Sequence, residues 1–171
     1  MSCNIDTGRT LPCRDSVGGL KNVHFINYDS AASISLVTTA GSEDTVAFDG
    51  VWDATNYKYE LKGTSSLTTN IQASRENGTV AFEQVLELTL PKLSKEDNYQ
   101  VKLLAFGRPR IVVEDYNGNY FLVGREHGAD VTGGTIVTGS AMGDLSGYTL
   151  TFSAMELTPA NICTGSIATP S

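Results

Sequence analysis

Asp6-Thr7-Gly8 is the tripeptide that carries one carboxylate of an aspartic-peptidase pair, in which two acids share a proton. That chemistry needs a second copy of the motif and an apolar strand to bury both acids. The chain holds a single copy, and Cys3-Asn4-Ile5 ahead of it make no such strand, so catalysis through Asp6 would require a dimer. His24 and His127 are the two histidines. No nucleophile elbow accompanies them, and a Ser-His-Asp site is a matter of geometry. His24 reads as a strand histidine, and His127, just before Gly128, as a residue bonded to loop backbone. Gly133-Gly134, with Gly128 and Gly139 nearby, lacks the following lysine and the strand–helix frame of a phosphate-cradling loop.

Other residue sets offer binding rather than catalysis. Glu114-Asp115 and Asp49 with Asp53 are acidic pairs, but the alternating Asp run and closing Glu of a calcium loop are missing. Cys3, Cys13 and Cys163 lie near the chain ends. Cys3 with Cys13, or either with Cys163, could tie the termini together, whereas free thiols suit an odd count without a visible secretory signal. Asn77-Gly78-Thr79 fits the N-glycosylation pattern, and without such a signal it reads as a turn. Trp52, Tyr57 and Tyr59 are candidates for a sugar-stacking platform, or for core and interface packing. No catalytic, metal-binding or cofactor-binding residue is assigned, and no cofactor is expected.

The elements that would position these residues are mostly strands. With 171 residues, 40% hydrophobic and 18% charged, the chain suits a single folded domain spanning 1–171. Its net charge of −7 and pI near 4.7 oppose attraction to nucleic-acid phosphates. No apolar run approaches the roughly 18 residues of a membrane span. Residues 1–20 read as an irregular arm. Strands are expected over 21–28, 33–38 and 57–64, and the punctuated stretch 40–56 reads as a long loop. Residues 65–76 and 79–90 form a long hairpin around Asn77-Gly78, a pair suited to a two-residue type I′ turn. The shift of apolar residues from Val85 to Leu86, Leu88 and Leu90 suggests a bulge.

Pro91 ends that hairpin, and the period then changes. Ser94 with Asp97 resembles a capping box, Tyr99, Leu103 and Phe106, with Leu104 beside them, fall on one helical stripe, and Gly107 with Pro109 supplies a stop. Residues 110–116 and 119–124 make a second hairpin. The glycine-rich segment 125–144 reads as pliable, with a possible strand at 135–138. Residues 147–156 alternate Tyr148, Leu150 and Phe152 against hydroxyl side chains, and the stretch after Thr158 reads as a loose tail. Roughly seven to nine strands and one helix indicate a mainly β (α+β) fold, an antiparallel sandwich or barrel with one flanking helix.

From Glu76 onward the chain resembles the tail tube proteins of tailed bacteriophages, particularly those infecting Bacteroidetes. The resemblance rests on Glu76-Asn77-Gly78-Thr79 with Phe82-Glu83-Gln84, and on Leu103-Leu104-Ala105 before Arg108-Pro109-Arg110. It continues through Val113-Glu114-Asp115, Asn117-Gly118-Asn119, His127-Gly128-Ala129, Thr132-Gly133-Gly134-Thr135, Thr138-Gly139 and Gly143-Asp144-Leu145-Ser146-Gly147-Tyr148-Thr149-Leu150. About half the chain is covered. The resemblance implies a non-enzymatic virion subunit, made in the host cytoplasm, that forms hexameric rings stacked into a hollow tail tube. Its partners would be further copies, other tail proteins, and genomic DNA passing through the lumen without specific binding; no membrane is involved. The hairpin tip Arg75, Glu76, Asn77 and Gly78 would then belong to the lumen wall, and Phe48, Val51 and Trp52 of the long loop would contact the next ring. Neck, ring and tail-completion proteins share this general fold, and a carbohydrate-binding module is the alternative of a different class.

Overall fold

The computed structural model describes residues 4, 5, 7–61 and 64–171. Asp6 of the peptidase-like tripeptide and Cys3 lie outside the described residues. The chain is mainly β, with two sheets and one short helix: β1 (Leu20–Ile26), β2 (Val46–Ala47), β3 (Tyr57–Glu60), β4 (Ser66–Ser74), β5 (Thr79–Pro91), α1 (Lys95–Phe106), β6 (Arg110–Asp115), β7 (Tyr120–Val123), β8 (Asp130–Val137), β9 (Gly147–Glu156) and β10 (Asn161–Thr164). One sheet runs β2-β10-β7-β6-β1-β3, and the other β4-β5-β9-β8. Every pairing is antiparallel except that of β10 with β2.

The central strands of the six-stranded sheet are apolar on both faces, which explains the unbroken run Ile111-Val112-Val113. Val23, Phe25, Ile111, Val113 and Val123 point toward the four-stranded sheet and share a core with Leu86, Leu88, Leu90, Leu150 and Phe152. Burying a side chain such as Leu86 or Phe152 contributes about 1.5–3 kcal/mol. Ile26, Val46, Val112, Leu122 and Cys163 form a second core on the opposite face, roofed by Ile34 and Trp52. The segment 27–56 is therefore a cover over a sheet. No strand forms at 33–38: Ile34 plugs the second core, while Val37 exchanges backbone hydrogen bonds with Asp44 and Thr45.

Several other expectations change. The hairpin β4–β5 has no bulge at Val85. Gln84 takes the inward position that follows Leu90, Leu88 and Leu86 in alternation, and Val85 faces the other way. A buried glutamine in an apolar row disguises the period. It is satisfied there, accepting from the Gly124 N–H at 3.1 Å and donating to the Thr158 carbonyl at 3.1 Å. The turn spans four residues, since Ser74 pairs with Thr79. Gly78 alone takes a positive φ, of 64°, so the two-residue type I′ geometry is not used.

Helix α1 is capped as its sequence suggests, with the Ser94 hydroxyl accepting from the Asp97 N–H at 3.0 Å. Of the expected stripe only Leu104 meets the core. Val101 and Leu104 pack on the core, whereas Tyr99, Leu103 and Phe106 are exposed by 57, 46 and 82%. The glycine-rich segment holds a full strand, β8, with a register shift between Val131 and Gly133. The stretch after Thr158 supplies β10, and Asp53 and the Asn56 carbonyl accept from the Ala168 and Ser171 N–H groups.

Candidate functional site

The four-stranded sheet is closed by neither of its outer strands, because β4 pairs only with β5 and β8 only with β9. An unpaired edge offers a ladder of N–H and C=O groups to another strand. Strand pairing also fixes what each face carries, because directly paired residues point the same way. The face turned away from the core bears Ser66, Thr68, Asn70 and Gln72 on β4, matched to Glu87, Val85, Glu83 and Ala81 on β5. Thr149, Thr151, Ser153 and Met155 continue it on β9, and Thr135, Gly133 and Asp130 on β8. The charged members of this face are Glu83, Glu87 and Asp130; these strands place no lysine or arginine on it. Its character is hydroxyl-rich and acidic.

Arg75, Glu76, Asn77 and Gly78 are the exposed tip of the β4–β5 hairpin, braced by the Asn77 N–H donating to the Ser74 hydroxyl at 3.2 Å. Below the tip, the core-facing row is left open: Ile71 is 69% exposed and Val80 55%. The hairpin thus extends beyond the core that supports its base. On β8, Ile136 of the same row is 55% exposed. Each open edge therefore carries an uncovered isoleucine beside its free backbone groups.

The 40–56 loop is fastened down. Trp52 is buried in the second core, stacked on Phe48 at 5.4 Å, with its indole N–H donating to the Ala47 carbonyl. Phe48 is half-buried, and Val51 is the exposed member of the three, at 75%. Trp52 also lies on the opposite face of the six-stranded sheet from Tyr57 and Tyr59, which pair with Phe25 and Val23. The three aromatics do not assemble a sugar-stacking platform.

His24 sits under the cover. Its Nδ1 lies 2.9 Å from Asn56 Oδ1, and Asn56 donates to the Asp53 and Ala168 carbonyls. Burial lowers the His24 pKa, only partly opposed by the Asn56 hydrogen bond. This knot joins β1, the loop and the C-terminal segment. At the other histidine, the buried Glu156 carboxylate accepts from the Glu126 and His127 N–H groups and lies 3.2 Å from His127 Nδ1. Glu126, His127 and Glu156 place ligand-capable atoms within 4.8 Å of one another, a set that could hold a cation. Its hydrogen bonds already give it a structural role in fixing the 124–128 corner. Cys13 and Cys163 are free thiols, and burial pushes the Cys163 pKa up to about 12, which keeps it inert. Glu114-Asp115 serves the β6–β7 turn, where Asp115 accepts from the Asn117 and Asn119 N–H groups.

The acidic outer face was not picked out from the sequence, although the alternation of Glu83 and Glu87 with Gln84, Leu86 and Leu88 carries its signal. No protein-family model, curated protein or solved structure matches the chain.

Proposed function

We propose that the protein is a tail tube subunit of a tailed bacteriophage, a non-enzymatic virion component whose copies form rings around a channel for the genome. The observation that carries the reading is the four-stranded sheet with two unpaired edges and an outer face bearing acids and hydroxyls but no base. Joining β4 of one copy to β8 of the next continues the antiparallel order and removes both edges on ring closure. The fold is then a sandwich whose inner sheet is shared around the ring.

Six copies give twenty-four strands, and at about 4.8 Å per strand and a strand tilt of about 40° the wall has a diameter on the order of 48 Å. Barrels of roughly 16–18 strands already leave an aqueous channel, so this one would be open. Glu83, Glu87 and Asp130 would line it and repel DNA phosphates, keeping the genome mobile. Val51, the exposed residue of the 40–56 loop, remains a candidate contact to the next ring, with Phe48 and Trp52 holding the loop in place beneath it.

Sedimentation velocity over a concentration series tests the reading. A slow monomer boundary at low concentration should give way to closed oligomers and longer assemblies. A single monomer boundary at all concentrations would count decisively against it.

A further inference from the structure

The arm preceding β1 has no strand or helix among its described residues, and its apolar side chains are uncovered: Ile5 is 96% exposed, Leu11 98% and Val17 62%. These three positions are six apart. A strand repeats every two residues and a polyproline II helix every three, so a spacing of six puts all three on one face of any extended arm. Pro12 fixes its own φ and biases Leu11 toward extended backbone, which favours that form. The apolar residues would then stand roughly 19 Å apart.

The root of the arm is clamped. Asn117 accepts from the Val17 N–H at 2.9 Å and donates to the Val17 carbonyl at 2.8 Å. The arm therefore departs beside the β6–β7 turn. At the opposite end of the same central strands lies an open groove of about 550 Å³ between the second half of α1 and the ends of β1 and β3. Phe25, Tyr28, Tyr57, Leu103, Leu104 and Pro109 line it, and Leu103 continues into the exposed stripe of Tyr99 and Phe106. No described arm residue lines the groove of its own copy.

We infer that the arm of one copy lies in the α1–β3 groove of another, with Leu11 seated against Tyr57 and Leu103. The six residues from Val17 to Leu11 reach about 20 Å when extended, so the groove must belong to a copy packed directly against the arm's root. Arm and groove occupy opposite poles, so the contact is head-to-tail, the kind that can repeat from copy to copy along a stack. Resting on the ring reading above, it is the link between successive rings and assigns the helix stripe its partner.

Photo-cross-linking tests this with the full chain. p-Benzoylphenylalanine replaces Leu11, ¹⁵N-labelled and unlabelled copies are mixed under assembly conditions, and irradiated peptides are mapped by mass spectrometry. Cross-links between isotopes to the 99–106 segment are expected; cross-links within one copy, to another surface, or absent from assembled protein would overturn the inference. Leu11→Asp provides a second readout. It should leave the monomer's thermal midpoint unchanged, because Leu11 is 98% exposed in its own copy, while raising the concentration needed for tube growth at least tenfold with rings still forming. Unchanged tube growth by Leu11→Asp refutes the arm contact and leaves the rings standing. Wild-type protein that forms no ring at any concentration refutes both.

Discussion

Two adjacent glycines on β8 should respond in opposite ways to the same substitution. Gly134 faces the core row opposite Leu150, and a Cβ there would lie 2.4 Å from the Thr149 carbonyl oxygen, a backbone atom that cannot swing aside. Gly133 faces outward after the register shift, and a Cβ there meets nothing within 4 Å. Gly134→Ala must push β8 off β9, an overpacking cost of about 1–3 kcal/mol. Gly133→Ala removes unfolded-state freedom without a clash and should stabilise by about 0.4–1 kcal/mol. The two variants should thus differ by roughly 1.5–4 kcal/mol, or several degrees in thermal midpoint for a chain of this size. Urea unfolding followed by circular dichroism, below the concentration at which copies associate, measures the difference directly. Equal stabilities, or Gly133→Ala as the weaker protein, would refute the register of β8 and with it the outward face described above.

Three further outcomes follow from the packing. Gln84→Ala leaves the Gly124 N–H and the Thr158 carbonyl without their partner and should cost about 1–3 kcal/mol by denaturant unfolding. Because the His24 pKa is lowered in the folded state, the unfolded chain takes up that proton first; stability should fall as pH drops below about 6.5, and His24→Gln should flatten that part of the profile. Ser94→Ala removes the cap of α1 and should cost about 1 kcal/mol in the same unfolding assay.

The sequence was most legible where alternation was clean. Leu86, Leu88 and Leu90, and Tyr148, Leu150 and Phe152, mark strands that each bury one face. The Ser94 cap and Gly107 stop bound the helix closely, yet of its apolar stripe only Leu104 meets the core. Tyr99, Leu103 and Phe106 form the more hydrophobic stripe, but the core has space only for Val101 and Leu104. Periodicity reports that a face is apolar; it does not tell whether that face meets the same chain or another. Gln84 hid the register of β5 because a polar residue can be buried once both ends of its amide are bonded. The glycines of β8 looked pliable because composition cannot distinguish freedom from close approach, and Gly134 serves the latter. The buried position of Trp52 depends on a long-range fold, with the 27–56 cover closing over β10 and β7, which no local pattern announces.

The most direct test of the assembly is an electron cryomicroscopy reconstruction of the purified protein at high concentration. The expected result is a tube in which β4 of each copy pairs with β8 of its neighbour and Glu83, Glu87 and Asp130 line the channel. A particle in which those edges stay unpaired, or in which the acidic face lies on the outside, would contradict it.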